Sequence, residues 1–311
     1  MEQSKINYTP LEVARIIGEP IDPRKPYGDI IPLISTTEYA DPNEYVYYFD
    51  VLNETDIVYT ITSTGAVTST AVTPDTPAAF TFIDIASPEY YVKITDLASA
   101  KEATLARKLA TINRSLNMYE TKYMFDLASA AAATSTFEHT LTSGQMRFSY
   151  NDLILMVQDV VDYGDNYVLV VGSELDTDMK LWNWNDNKYH NLMSAFADLG
   201  VQKIRMGVGN VTIDANSPAR RLAANTGYLI ATSTEMGKPF LFVRKRLNDI
   251  DLLGAAIKQN GERPERLVFA SPNPITASGG TTRYLAVGLT GYEQVVAACV
   301  NPYAVAKFTR S

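Results

Sequence analysis

The sequence contains very little cysteine and histidine. Its 311 residues include one cysteine, Cys299, and two histidines, His139 and His190. A single cysteine excludes an intrachain disulfide framework and any thiolate cluster. Two histidines so far apart give no ligand spacing typical of a zinc or iron site. We therefore expect no metal site, and a reducing cytoplasm is the expected compartment for folding.

Long apolar runs are also missing. No stretch of about 18 or more apolar residues occurs, which argues against a membrane span. Charged residues are scattered through residues 1–17, so an uninterrupted secretory signal core is absent. The formal net charge of −8 disfavours a protein that binds nucleic acid by general attraction. We expect no membrane partner and, at most, non-specific contact with DNA.

The motifs that assemble catalytic or cofactor sites are incomplete. Gly207-Val-Gly209 follows a predicted strand, but Thr212 stands where a dinucleotide fingerprint needs its third glycine. Asp176-Thr-Asp178 begins like a calcium loop, but Leu181 replaces the required glycine. No Gly-x-Ser-x-Gly nucleophile elbow is present. We predict no catalytic residue, no cofactor and no metal ligand, so the protein is expected to act through its surfaces and not as an enzyme.

Proline recurs near the N-terminus. The positions are Pro10, Pro20, Pro23, Pro26 and Pro32. This spacing is incompatible with a long helix or a central strand. We predict an extended arm over residues 1–37 that gains order by lying on another surface; a merely loose N-terminus is the alternative.

Residues 44–94 are rich in aromatic residues and threonine. Tyr45, Tyr47 and Phe49 alternate with their neighbours, and the turn signal Thr64-Gly65 separates two such stretches. The pattern predicts long exposed hairpins within residues 38–95. A two-stranded ribbon cannot bury a core of its own and is only marginally stable alone, so we expect it to pack on a neighbouring chain.

The apolar period changes to that of a helix after Asp96. Residues three or four apart form one stripe: Leu105, Leu109, Ile112, Leu116, Tyr119, Tyr123 and Leu127. The pattern predicts a helix over residues 96–133, about 55 Å long at ~1.5 Å per residue. A coiled coil is the alternative, which the scarcity of strict heptads disfavours.

The remainder of the chain predicts a compact α/β unit followed by a closing sheet. The α/β unit contains predicted helices at Asp152–Tyr163 and Leu175–Trp182 around a buried strand at Tyr167–Val171. The later predicted strands are 201–208, 228–232, 240–243, 266–270, 284–289, 295–300 and 304–308, with a helix at 249–258. The whole chain is therefore expected to have an α+β fold.

The densest basic run is Arg244-Lys-Arg246, at the end of a predicted apolar strand. It indicates either a salt bridge between subunits or a contact with packaged DNA. A solvated strand end is the equally simple alternative.

The order of these parts resembles the Hong Kong 97-type major capsid proteins of tailed phages. Members of that family have an N-terminal arm, an extended two-stranded loop, a long spine helix, a peripheral β-sheet and an inserted axial α/β domain. The resemblance places the arm at 1–37, the extended loop at 38–95, the spine helix and peripheral domain at 96–150, the axial domain at 151–235, and the remaining axial and peripheral strands at 236–311. It covers nearly the whole chain and rests on architecture, because the family has no invariant motif.

The resemblance implies a major capsid protein, a structural virion protein that forms the hexamers and pentamers of an icosahedral shell around double-stranded DNA. Expected partners are further copies of the chain, a separate scaffolding protein, a portal and a decoration protein. Assembly is expected in the host cytoplasm and final residence in the virion. No covalent crosslink is predicted, since nothing in the sequence singles out a lysine–asparagine pair.

The residues expected to contact neighbouring subunits belong to the arm, the ribbon and the basic run. They are Pro23, Tyr27, Tyr45, Tyr47, Phe49, Tyr59, Phe80, Arg244 and Arg246. Three alternatives stay open at this point. They are an encapsulin-like compartment shell, a structural component of a phage tail or adhesin, and an enzyme with an unfamiliar site.

Overall fold

The structure is a computed structural model of the chain. It describes residues 30–49, 78–141, 147–182, 196–205, 210–214, 217–220, 222–234, 237–247, 265–276 and 283–310. The predicted helix at 249–258 and residues 1–29 of the predicted arm lie outside the described residues. Residues 30–37 were also expected in the arm, but they belong to the folded core, where Ile30, Ile31 and Ile34 are buried.

The described residues form both helices and strands, as an α+β fold requires. The helices are α1 (Ile31–Ile34), α2 (Ile94–Ser135), α3 (Tyr150–Val160) and α4 (Ser173–Lys180), with 3-10 turns at Val161–Tyr163 and Pro302–Ala304. The strands are β1 (Ser35–Ala40), β2 (Val46–Phe49), β3 (Ala78–Thr81), β4 (Ile83–Ala86), β5 (Tyr90–Lys93), β6 (Glu138–Leu141), β7 (Asp165–Val171), β8 (Val201–Arg205), β9 (Asn210–Asp214), β10 (Ser217–Arg220), β11 (Thr226–Ser233), β12 (Phe240–Lys245), β13 (Arg266–Thr276), β14 (Arg283–Cys299) and β15 (Val305–Arg310).

Helix α2 confirms the predicted long helix. Its 42 residues give a length of about 63 Å at 1.5 Å per residue. The helix ends in a left-handed residue, Thr136, with φ of 65°. The amide of Phe137 then donates to the carbonyl of Ala132 at 3.1 Å, which is the bond that closes a Schellman end.

Strand β14 is the centre of a six-stranded sheet. Val295 lies opposite Arg244 of β12 and also opposite Ile83 of β4, so β12 and β4 occupy different edges of β14. Glu293 likewise lies opposite Arg266 of β13 and a residue of β4, which places β13 on the same edge as β12. The two strands therefore follow one another along that edge. β5 pairs with β14 farther along the edge that β4 occupies. β1 completes the sheet by pairing in parallel with β12.

A second sheet has five strands in the order β6-β15-β11-β7-β8. Its outer pairs, β6 with β15 and β7 with β8, are parallel, whereas β11 is antiparallel to both of its neighbours. Helix α3 begins at a capping box, in which Ser149 and Asp152 bond each other's backbone amides. This sheet and its helices contain the compact α/β unit that the sequence predicts, but β15, which was expected in the closing sheet, lies in this sheet instead.

Helix α2 packs between the two sheets. Ile112 and Leu116 lie against β14 in one buried cluster. In the same cluster Phe125 stacks on Tyr228 of β11, with ring centroids 5.7 Å apart. The approach to β14 is close, because a Cβ on Gly291 would lie 2.3 Å from Cγ2 of Ile112. The long helix is thus a core element shared by both sheets.

The two sheets each bury a second face. Side chains from α3 and α4, including Leu153, Met156 and Leu175, pack on the far side of the five-stranded sheet. The far side of the six-stranded sheet holds a smaller cluster around Leu241 and Val243. The β2–β3 hairpin packs on this smaller cluster.

Two sequence predictions differ from the structure. The predicted strands at 284–289 and 295–300 are one continuous strand, β14, because β13 pairs with it across Gly288 and Gly291 and β12 continues the pairing on the same edge. In addition, β4 and β5 fall within the predicted ribbon but pair with β14 in the sheet. In the described part of residues 38–95, only β2 and β3 pair with each other as a hairpin.

Candidate subunit-contact surfaces

The base of the β2–β3 hairpin is attached to its own subunit. Tyr47 lies opposite Phe80 in the antiparallel register, and both pack on the cluster that includes Leu241 and Val243. The Tyr47 hydroxyl also donates to the carboxylate of Glu38 on β1. This hydrogen bond, followed by burial, raises the pKa of Tyr47 to about 12. Tyr47 and Phe80, both expected to contact a neighbour, therefore already have partners within the chain.

Tyr45 has a different environment, because it is 78% exposed to solvent. The ammonium of Lys245 lies 4.7 Å from the centroid of its ring and 5.4 Å from that of Phe82. A cation held over an aromatic face fixes the ring's position by electrostatic attraction. Tyr45 is thus an oriented aromatic side chain with most of its surface free of contacts within the described residues.

Arg246 lies at the end of β12 and stacks its guanidinium over the ring of Tyr39, 5.5 Å from the centroid. Its amide donates to the carbonyl of Ala40 at 2.9 Å, which extends the pairing of β12 with β1. Tyr39 is 47% exposed. Tyr39 and Arg246 thus form a small aromatic and basic surface on the face of the sheet opposite to the hairpin, because Tyr39 alternates in β1 with Ala40, which packs on the hairpin face.

Arg244, two residues earlier, lies in a different place from the solvated strand end considered from the sequence. Its guanidinium donates from Nε and Nη2 to the two carboxylate oxygens of Glu120 on α2, each at 3.1 Å. Nη1 lies 3.6 Å from the carboxylate of Glu265. The side chain is 18% exposed and Glu120 is 1% exposed. The side-chain contacts of Arg244 are thus committed within the chain, between helix and sheet.

Two further charged residues join this pair. Nη2 of Arg266 on β13 lies 3.1 Å from Oε2 of Glu120, and its Nε donates to Oε2 of Glu293 on β14 at 2.5 Å. We call Glu120, Arg244, Arg266 and Glu293 the seam cluster, because Glu120 on α2 contacts the sheet at the point where β12 succeeds β13 along β14. The cluster joins α2 to three strands of the six-stranded sheet.

Burial and charge oppose each other in the seam cluster. Burial, followed by the neighbouring Glu120, raises the pKa of Glu293 to about 7, although Arg266 and Arg244 act to lower it. Burial acts to lower the pKa of Arg266, but Glu120 and Glu293 raise it overall. Oε1 of Glu293 is buried without a hydrogen-bond partner among the described residues. A charged carboxylate with an unbonded oxygen is costly to keep away from water.

The sequence contains a local signal for this cluster, namely charged residues at positions of an apolar pattern. Glu120 falls four residues after Leu116, inside the apolar stripe of the helix. Glu293 alternates with Val295 and Ala297, which are buried on the same face of β14. A charged residue on an apolar face is seldom fully buried unless it is paired. The partners Arg244 and Arg266 follow only from the sheet topology.

A second exposed surface lies on the five-stranded side of the molecule. Ile154 and Leu155 on α3 are 39% and 48% exposed, and Val161 follows in the 3-10 turn. Tyr163 stacks on Tyr303 with centroids 5.2 Å apart, and both rings are partly exposed. Apolar residues clustered on a surface indicate an interaction site more strongly than isolated ones do.

The remaining predicted contact residues are Pro23, Tyr27, Phe49 and Tyr59. Pro23, Tyr27 and Tyr59 lie outside the described residues. Phe49 lies on β2, opposite Ala78.

The described part of the chain contains no group of three or more histidine, cysteine, aspartate or glutamate side chains placed to bind a metal ion. Within the same residues, no helix combines the length and the apolar character that crossing a membrane requires. Burial raises the pKa of the Cys299 thiol to about 12, so this thiol is weakly reactive.

Comparisons by sequence and by structure give different results. No protein-family model matches the chain, and no curated protein matches its sequence. Solved structures do match. A structure from Mycobacterium phage Adephagia is 13% identical, with a TM-score of 0.56, and the match covers 98% of each chain.

Two further matches have names that state what they are. The capsid structure of the cyanophage P-SCSP1u is 10% identical with a TM-score of 0.51, covering 89% of this chain and 86% of the other. The capsid of an empty GTA particle is 13% identical with a TM-score of 0.51, covering 93% and 91%. At these identities the similarity concerns the fold. The chain has the fold of phage capsid proteins, over nearly its whole length.

Proposed function

We propose that this chain is a major capsid protein, the structural subunit of an icosahedral shell that encloses double-stranded DNA. In this proposal the protein acts through its surfaces and catalyses no reaction. The observation that carries the proposal is the fold match to phage and capsid structures over nearly the full length of both chains.

The assembly unit of the proposal is the Hong Kong 97-type capsomer, as hexamers and pentamers. Helix α2 serves as the spine helix, the five-stranded sheet with α3 and α4 as the axial domain, and the six-stranded sheet as the peripheral domain. The β2–β3 hairpin forms the base of the extended loop, and the segment before Ile30 is the arm, with Pro23 and Tyr27 in contact with a neighbour.

Exposed apolar surface supports an association function. Tyr45 beside the hairpin and Ile154 and Leu155 on α3 leave large apolar areas open to solvent. Assembly interfaces derive much of their free energy from a few buried aromatic or aliphatic side chains. We propose these three residues as subunit contacts, together with Arg246, Phe49 and Tyr59 from the ribbon and basic run.

The partners in this proposal are further copies of the chain, a separate scaffolding protein, a portal and a decoration protein. Assembly takes place in the host cytoplasm, and the mature location is the virion. Contact with packaged DNA is non-specific at most, and the net charge of −8 disfavours a general attraction to phosphate, which needs an excess of basic groups.

The first test expresses the chain alone and together with the products of its neighbouring genes, followed by light scattering and negative-stain electron microscopy. Shells, hexamers or pentamers in the co-expressed sample support the proposal. Complete regular shells from the chain alone would contradict the need for a scaffold and favour the encapsulin-like alternative. A monomer of 34.3 kDa in both samples would overturn the capsid proposal.

The second test addresses the α3 surface with a matched pair of variants. We expect Leu155→Asp to reduce shell yield by about tenfold or more, because a charge is placed where an apolar contact is buried. Gln158→Asp adds the same charge to an already polar, exposed position of α3 and is expected to assemble almost normally. Equal yields from both variants would remove α3 from the interface.

A further inference from the structure

The seam cluster together with the adjoining Glu265 is unbalanced in charge. Three carboxylates, from Glu120, Glu293 and Glu265, face two guanidiniums, from Arg244 and Arg266. Glu120 and Glu293 are each 1% exposed and Glu265 is 38% exposed. Binding one proton leaves two carboxylates for two guanidiniums and balances the group.

The position that takes the proton follows from the hydrogen bonds. Glu120 receives two bonds from Arg244 and an ion pair from Arg266, so both of its oxygens are occupied. The Glu265 side chain is 38% exposed, so water solvates its carboxylate. Glu293 has a single donor, Nε of Arg266, on Oε2, and its buried Oε1 has no hydrogen-bond partner in the described residues. The charged form is therefore least stabilised at Glu293.

We propose that the seam cluster is a proton-sensitive latch, in which a proton taken from solvent by Glu293 strengthens the packing of helix α2 on the six-stranded sheet. The neutral acid removes the cost of holding a charged, unbonded oxygen away from water, which is the largest effect, and it removes the repulsion from Glu120. Together these effects outweigh the lost attraction to Arg266. The raised pKa of Glu293 agrees with this assignment.

The titratable groups on the surrounding elements do not take up the proton in place of Glu293. Tyr39 of β1 faces Glu265 and Arg244 from the outer side of the cluster, and burial raises its pKa, so it stays neutral. Asp84 of β4 accepts from Tyr292 and Gln294. Because those two residues flank Glu293 in the strand, they point to the opposite face of β14.

The direction of the pH effect follows from linkage. The pKa of Glu293 is higher in the folded chain than its ordinary value of 4.5. The stabilisation by the proton is complete below the unfolded pKa and is lost as the pH rises through about 7. The folding equilibrium constant of the wild-type subunit is therefore expected to fall by on the order of 100-fold between pH 5 and pH 8 through this group alone.

The test compares unassembled wild-type chain with Glu293→Gln by chemical denaturation from pH 5 to pH 8.5. Glutamine mimics the protonated acid, so we expect the variant to be more stable than wild type at pH 8, with the difference vanishing towards pH 5. All other titratable residues are the same in both proteins, so the difference isolates Glu293. Parallel pH profiles, or a variant that is less stable at every pH, would overturn the proposal.

A direct titration keeps the proposal testable if the variant does not fold. Carbon NMR of glutamate-labelled wild-type chain is expected to show one carboxyl signal with a midpoint near neutral pH. Glutamate signals that all titrate in the ordinary acidic range would refute the latch. A near-neutral signal that persists in Glu293→Gln and disappears in Glu120→Gln would refute the assignment to Glu293.

Discussion

Replacing Gly291 with alanine tests whether α2 depends on close contact with β14. The added Cβ would lie 2.3 Å from Cγ2 of Ile112 and 3.2 Å from Cδ1 of Leu116. Carbon atoms in contact prefer a separation of about 3.5–4.0 Å, so the first pair has to move apart by more than 1 Å. Ile112 is fully buried and its β-branched side chain has one strongly preferred rotamer in a helix. The helix backbone must therefore shift.

The size of the effect follows from that forced shift. Overpacking a core by one methyl group typically costs about 1–3 kcal/mol. The upper part of that range is expected for Gly291→Ala, because the same helix carries Ile112, Leu116 and Glu120 of the seam cluster. Gly288 in the same strand is the control. A Cβ there meets Glu89 at its carboxylate end, an exposed and flexible group that can turn away, so Gly288→Ala should cost less than about 1 kcal/mol.

The assay is urea denaturation of the unassembled chain, read as the change in the free energy of unfolding. Ile112→Ala alone should cost about 2–5 kcal/mol through its cavity. Combined with Gly291→Ala it should cost clearly less than the sum, because each change makes room for the other. Equal costs for Gly288→Ala and Gly291→Ala, or additive effects in the double variant, would refute the proposed contact.

Three further predictions concern single side chains. Tyr47→Phe should lower stability by about 0.5–1.5 kcal/mol in denaturation experiments through loss of the bond to Glu38, and Tyr47→Ser should cost more because the ring also packs on the sheet; equal losses would argue against that packing. Cys299 should react with iodoacetamide at pH 8 on the order of 100-fold more slowly in the native than in the urea-unfolded chain, because burial raises its pKa; equal rates would contradict its burial. Thr136→Gly should raise the melting temperature and increase the free energy of unfolding by up to roughly 1 kcal/mol, since a β-branched residue is strained at positive φ. A lower melting temperature would show that the threonine side chain has a compensating contact.

The elements that sequence predicts well are those whose signals are local. The long helix follows from apolar residues spaced three or four apart, and α3 begins at a capping box that Ser149 and Asp152 form within four residues. The buried strand β7 was predicted as 167–171 and extends from Asp165 to Val171. In each case the side chains that define the element are neighbours in the chain.

The features that sequence did not predict depend on distant partners. β4 and β5 alternate like ribbon strands, but their assignment to the sheet depends on β14, about 200 residues later. Arg244 belongs to a basic run in the sequence, and only the succession of β13 and β12 along β14 brings it to Glu120. Tyr47 and Phe80 were assigned to partner contacts because hairpin aromatics have no visible partner in sequence. The sheet surface beneath them supplies one.

The place of β14 and β15 in the two sheets has a consequence for biosynthesis. β14 holds together β4, β5, β12 and β13, and β15 lies between β6 and β11. A ribosome must therefore translate through Cys299 before the six-stranded sheet can close and through Arg310 before the five-stranded sheet can close, and long-range pairing of this kind is slow to form. The nascent polypeptide therefore cannot form both sheets while it is still being elongated. In the proposed shell, a subunit can polymerise in its native form only after translation has passed Arg310.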